Sequence, residues 1–241
     1  MQQRLTYRNL ISKKGLVSFR VAVKETDLLV QALGGLEEPT TELVLRYRGI
    51  IESYGQRYPE FLRTLTPWQI PGPAPLIIRD MAAAGEAAGV GPMAAVAGAI
   101  GAHVGADLLS YSSEVIVENG GDIFLKTKDP GTVAIYAGES PLSLKIGLKV
   151  YPDDKPLGVC TSSGTVGHSL SFGRADAVCV ISRDCALADA AATSVCNQVK
   201  SGKDIQKAID FGKRIRSVNG LVIIIGEQIG MWGDIEIVPL G

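Results

Sequence analysis

The stretch EVIVENGGDIFLK, residues 114–126, decides the fold class. Two apolar runs, Glu114–Glu118 and Asp122–Lys126, flank Asn119-Gly120-Gly121. Asn-Gly between such runs is the strongest short-range hairpin signal. Downstream, apolar segments bounded by turn residues predict strands at 132–137, 143–151, 157–162 and 176–182. Helices follow over about Cys185–Lys200 and Asp204–Arg214, and the chain closes on strands at Leu221–Ile225 and Asp234–Val238. Upstream, Leu76–Ala88 has Ile77, Ile78, Met81 and Ala84 spaced for one helical face, and Pro92 opens another helix through His103. Strands gathered in runs, with helices between the groups, favour α+β over a regular βαβ array. The fold expectation is α+β: one domain over residues 1–241, with mixed or antiparallel sheets packed by helices.

The N-terminal part reads as strands at 4–11 and 16–24 joined by Lys13-Lys14-Gly15. Leu28, Leu29, Ala32 and Leu33 predict a helix from Thr26, ended by Gly34-Gly35. Thr40 to Tyr54 is amphipathic, with Leu43, Val44, Tyr47, Ile50 and Ile51 on one face, and a short helix spans Pro59–Leu65. Residues 67–75, PWQIPGPAP, form the most proline-dense stretch and the candidate subdomain boundary. Nine residues make a rigid connector, not a disordered linker.

Composition narrows the function classes. With 24 basic and 25 acidic residues the net charge is −1, so no bulk electrostatic case exists for nucleic acid or an anionic membrane. Hydrophobic residues at 46% and charged ones at 20% are globular composition. The four cysteines at 160, 179, 185 and 196 form no CxxC pair and read as reduced core thiols. The N-terminal MQQRLTYRNLISKK lacks a signal peptide's apolar core, so the expected location is cytoplasmic. Ala87–Ala106 has the length of a membrane span and no Asp, Glu, Lys or Arg. Its Ala and Gly bring little apolar surface, so it reads as a buried, closely packed segment.

Three segments could carry chemistry. Glu118 to Asp122 places two carboxylates on the hairpin, more than a turn requires, although a solvated tip is the plainer reading. Thr161-Ser162-Ser163-Gly164-Thr165-Val166-Gly167-His168-Ser169 is a loop whose N–H groups can converge on an anion. It is neither a P-loop nor a nucleophile elbow. Ser163, His168 and Asp176 can be drafted as a triad, but triads are set by geometry and not by proximity in sequence. On the helix, Asp189 and Thr193 lie four apart, on one face, where a carboxylate and a hydroxyl can reach one hard cation. Alanines around them leave backbone space for a close ligand. The competing reading has Thr193 bonding back to the carbonyl four residues earlier. His103 reads as a hydrogen-bonded core histidine.

In order, Val117-Glu118-Asn119-Gly120-Gly121-Asp122-Ile123, Thr161-Ser162-Ser163-Gly164 and Ala188-Asp189-Ala190-Ala191-Ala192-Thr193 resemble the ApbE-type FAD:protein FMN transferases. That family shows an N-A-G-G-D turn, an A-T-S-G loop and an A-D-A-x-x-T helix, and the chain is most similar to an anchorless branch of it. The resemblance implies an ApbE-like domain, FAD and Mg²⁺ as cofactors, and an acceptor protein whose Thr or Ser hydroxyl receives FMN. It makes Asp189 and Thr193 metal ligands. Asn119, Gly120, Gly121, Asp122, Thr161, Ser162, Ser163 and Gly164 would line the nucleotide site, with Asp189 and His168 as catalytic candidates.

Two departures stand out. The family's D-x-G-x-x-A-K-G segment has become Gly91-Pro92-Met93-Ala94-Ala95-Val96-Ala97-Gly98, which removes an acid at Gly91 and a lysine at Ala97. Of the family's H-x-x-D-P-x-T-G segment only His168 and Ser169 stand as a remnant. Three readings therefore stay open: a flavin- or nucleotide-binding protein with FMN-transferase-like activity, a non-catalytic module of the same fold holding a different small anion or metabolite, and an assembly protein using Met81–Gly105 as an interface. Composition leaves a homodimer open under each.

Overall fold

The computed structural model describes residues 15–151, 153–165 and 172–240. Strands β1 (Val17–Val23) and β2 (Thr26–Ala32) form a hairpin, followed by helix α1 (Glu37–Arg57) and a 3₁₀ turn at Pro59–Leu62. Helix α2 (Leu76–Ala88) and a 3₁₀ turn at Pro92–Ala95 lead into α3 (Val96–Leu108). Strands β3 (Val115–Asn119), β4 (Asp122–Lys126), β5 (Gly131–Ala134), β6 (Ile146–Val150), β7 (Leu157–Ser162) and β8 (Ala177–Ser182) follow. Helices α4 (Cys185–Gln198) and α5 (Ile205–Gly212) and strands β9 (Val218–Ile225), β10 (Gln228–Gly233) and β11 (Glu236–Pro239) complete the order. The fold class is α+β.

Eight strands make one antiparallel sheet in the order β1-β2-β3-β4-β7-β8-β9-β10, and β11-β6-β5 make a second. Alternation along each strand gives the large sheet two buried faces. On one face Val115, Val117, Phe124, Cys160 and Val180 pack beneath the helices. On the other Ile116, Ile123, Leu125, Val159 and Val222 pack against Val133, Leu148 and Val150 of the small sheet. The layers are therefore helices, large sheet, small sheet. Cluster residues lie on both sides of the proline-rich connector, with Phe61 before it and Ile77 after it. Trp68 within the connector packs on Tyr58 and Phe61.

The predicted helix over Thr26–Leu33 is instead strand β2, paired with β1 and β3. So short an apolar run fits either period, and the residues Leu28, Leu29, Ala32 and Leu33 are spaced as one helical face would be. Leu28, Val30 and Ala32 are all fully buried. Strand β10, with its two glycines, went unrecognised and is held by β9. Lys24 and Glu25 make the β1–β2 tip. The predicted strand at 4–11 lies outside the described residues.

No single helix among the described residues is long and apolar enough to cross a membrane. The Ala/Gly segment is broken into α2 and α3, which meet at 106°. Gly89, at φ +71, closes α2 in the left-handed conformation. The small residues of α3 are spent on internal packing: a Cβ at Gly105 would lie 2.2 Å from the Phe124 ring.

Candidate functional site

The β3–β4 hairpin has a two-residue tip, with Asn119 opposite Asp122 and both Gly120 (φ +69) and Gly121 (φ +117) in the positive-φ region. Only glycine adopts both conformations without strain. Strand alternation sends Asn119 and Asp122 to the helical face and Glu118 to the small-sheet face. The tip is not solvated: Glu118 is 2% exposed, Asn119 and Asp122 8% each. The plainer reading of these carboxylates is thereby overturned.

Strand β7 pairs Cys160 with Asp122. Ser162, two residues on, shares its face and ends the strand. Burial pushes the Asp122 carboxyl up to about 7, against the Cys160 thiol and the Thr161 N–H beside it, and Glu118 adds to the rise. Asp122 Oδ1 and Ser162 Oγ are both buried with no hydrogen-bond partner among the described residues. Such atoms are rare in native proteins and call for an explanation.

Helix α4 starts at Asp184, whose carboxylate accepts from the Leu187 N–H at 3.1 Å. Every residue from Cys185 to Cys196 is buried. The alanines are packed in the core and not open to a ligand: Ala188, Ala190, Ala191 and Ala192 are all fully buried. Asp189 Oδ2 accepts from the Gly98 N–H at 2.8 Å. Gly98 is glycine because α3 and α4 touch there: a Cβ would lie 2.4 Å from the Cys185 carbonyl and 2.8 Å from Asp189 Cβ. Asp189 thus caps the first turn of α3 from a neighbouring helix. Burial, and after it the charge of Asp122, push its carboxyl well above the ordinary range, against the N–H groups of Gly98 and Ala97. Asn119 completes the junction, donating from Nδ2 to the Ala97 carbonyl at 3.1 Å.

Thr193 sits one turn after Asp189, also buried. Its hydroxyl makes no hydrogen bond among the described residues, so the back-bond to the carbonyl four residues earlier is absent. Asp122, Ser162, Asp189 and Thr193 therefore bring side-chain oxygens to the boundary between the helical layer and the large sheet. Thr161 lies on the opposite face, beside Cys179. Ser163 Oγ accepts from the Thr165 N–H at 3.1 Å, and the Gly164 N–H donates to Ala175 O at 2.9 Å. Two of the loop's N–H groups are thus already engaged within the protein. Asp176 is occupied as well, accepting from the Gly226 N–H at 2.7 Å and bonding Thr165 Oγ1 at 3.2 Å. His168 and Ser169 lie outside the described residues.

Gly91 is closed to any side chain, since a Cβ would stand 1.9 Å from the Thr64 carbonyl. The structural roles of Gly98 and Cys185 were not readable in the sequence, where Gly98 stands only as the last residue of the 91–98 segment and Cys185 as a core thiol at the start of a helix. His103 is the paired core histidine expected, with Nε2 at 2.8 Å from Asp80 Oδ2.

The family described as AbpE bacteria matches residues 8–231. The chain belongs to that family. A UPF0280 protein of Methanocella arvoryzae is 45% identical over 212 residues, covering 88% of this chain and 86% of the relative. A UPF0280 protein of Methanocaldococcus jannaschii is 39% identical over 223 residues, covering 90% of each. Among solved structures, the flavinyl transferase ApbE of Pseudomonas stutzeri superposes with a TM-score of 0.55 at 14% identity, over 90% of this chain and 94% of that one. The ApbE protein of Thermotoga maritima gives 0.54 at 14% identity, over 89% and 96%. At that identity the likeness is one of fold, and it places this ApbE-like chain in one architecture with those proteins.

Proposed function

We propose that the chain binds a flavin nucleotide together with Mg²⁺ and acts as a Mg²⁺-dependent transferase of FMN from FAD to a protein hydroxyl. The observation that carries this reading is a pair of buried oxygens with no partner among the described residues, Ser162 Oγ and Asp122 Oδ1, at the junction where α4 brings Asp189 and Thr193. Buried oxygens of this kind fit a hard cation and its phosphate ligands. Asp189 and Thr193 would hold the cation. The carboxylate of Asp189 has about four lone-pair sites, so its bond to the Gly98 N–H fixes its orientation without exhausting it. When bound, Mg²⁺ neutralises charge that develops on phosphate oxygens. Asp122, with its carboxyl raised to about 7, holds or releases a proton near neutral pH beside that junction.

The test is thermal unfolding with and without FAD, each with and without Mg²⁺, on wild type and Asp189→Ala. Ligand at 100 times its Kd stabilises by about 2.7 kcal/mol, which is a shift of roughly 5–11 °C for a chain of this size. The expected result is a Mg²⁺-dependent shift lost in the variant, with AMP release in a transfer assay. No shift in folded wild type sinks the reading.

A second reading, a non-catalytic module holding the same class of small anion, is favoured by one observation. Thr64 O excludes an acid at Gly91, and Ala97 carries no charge. Binding of FAD without AMP release selects it.

A further inference from the structure

We infer that Cys160 and Cys185 form an intramolecular disulfide site that locks the strand entering the 161–165 loop to the helix bearing Asp189 and Thr193. The two sulfurs are 3.6 Å apart, in van der Waals contact and buried. Both thiols have a local acceptor: Cys160 Sγ faces Cys185 O at 3.4 Å, and Cys185 Sγ faces Ile123 O at 3.5 Å. Strand β7 and the start of α4 already touch main chain to main chain. A Cβ at Gly158 would stand 2.6 Å from Cys185 Cα, so glycine there lets the helix rest directly on the strand. With the backbones this close, side-chain rotation supplies most of the approach a disulfide needs.

The two cysteines also bracket the candidate site. Cys160 is in register with Asp122, and Cys185 lies one helical turn before Asp189, against the same Gly98. Oxidation would remove the Cys160 S–H from beside Asp122 and pin β7, which ends at Ser162, to α4.

The step is a two-electron oxidation. Two S–H bonds break, one S–S bond forms, and two protons and two electrons pass to a small azo oxidant, diamide, which becomes its hydrazine. Burial pushes the Cys160 thiol well up. Cys185, eased by its contact with Cys160, is raised by burial and by Asp122, Asp189 and Asp184. Thiolate is therefore scarce at neutral pH, and the rate should climb about tenfold per pH unit between pH 7 and 9.

The experiment needs no flavin, so its outcome is independent of the proposed function. The full chain is treated with diamide at pH 8.5, unfolded, alkylated and mapped by mass spectrometry. The expected result is loss of two of the four free thiols and one cross-linked peptide pair joining Cys160 to Cys185. The same pair should form in a Cys179→Ala/Cys196→Ala variant, and the oxidised wild type should melt higher by roughly 5–10 °C. Retention of all four thiols, or pairing through Cys179, Cys196 or a second molecule, overturns the inference. The wild-type map decides even where a Cys185→Ser control fails to fold.

Discussion

Two neighbouring hairpins of one sheet treat their acids in opposite ways. The β1–β2 hairpin turns through Lys24 and Glu25, and its charges find partners at the surface: Arg20 with Asp27, Lys24 with Glu52, Arg48 with Glu25 and Glu52. A hydrogen bond to its own backbone and the Arg48 guanidinium hold the Glu25 carboxyl below its ordinary range. The β3–β4 hairpin turns through Gly120 and Gly121, and its acids lie under protein, with Asp122 raised to about 7 and one of its oxygens unused. Both hairpins put an acid next to a two-residue turn. What differs is the cover: α3 and α4 close over the second. An acid near a turn is a solvated ion-pair partner in one place and a buried carboxyl with a raised pKa in the other, and desolvation makes the difference.

If backbone contact between the helices is what buries the second hairpin, the largest effect comes from forcing them apart. Gly98→Ala should destabilise by about 3 kcal/mol or more, because its Cβ meets the carbonyl of Cys185, read as a lower denaturation midpoint. A variant as stable as wild type would show that the α3–α4 contact yields easily.

Next comes pH. Asp122 has a raised carboxyl, so the folded state favours its protonated form. Stability should be undiminished below the unfolded carboxyl value near pH 4 and fall as pH rises to about 7, and Asp189, raised as well, adds to the same falling limb. The cost is on the order of a few kcal/mol. Asp122→Asn should make that limb shallower, leaving the part that belongs to Asp189, and unfold later than wild type at pH 8. Glu25 and Glu52 have the opposite sign: their lowered carboxyls stabilise above the unfolded value and lose that contribution on acidification. Chemical denaturation across pH 4 to 8 separates the two hairpins, and a flat wild-type curve breaks the contrast.

A smaller effect belongs to the latch on α3. Asn119→Ala removes the donor to Ala97 O and should cost about 1–3 kcal/mol. Equal unfolding midpoints for the two proteins would remove Asn119 from the junction. The smallest effect lies on the first hairpin, where Glu25→Gln should move the melting temperature by no more than about 2 °C, since exposed ion pairs contribute little. A larger loss would mean that the surface network holds β1–β2 in place.

Much of the architecture was legible in the residues. Helix α2, strand β4 and strand β7 stand at the limits their periodicity predicts, because each has a clean apolar face and a turn residue at its end. The hairpin at Asn119 followed from turn chemistry alone. Strand β2 did not, since its short apolar run fits a helical period as well as a strand's. That Asp189 and Thr193 share one helical face was readable from their spacing, but the hydrogen-bond partner of Asp189 was not. Gly98 is 91 residues away, and nothing in its Ala/Gly surroundings marks it as the donor to a carboxylate.

The sequence by itself determined the α+β class, the hairpin tip, the helix that carries an acid and a hydroxyl on one face, and the family to which the chain belongs. These depend on neighbours in the chain, through backbone sterics and side-chain period. Only the tertiary structure decided that Asp122 is buried, that Asp189 caps a second helix, that Gly91 admits no side chain and that two distant cysteines touch. Each of these depends on which backbone lies within a few ångströms, and so on desolvation and contact between segments far apart in sequence.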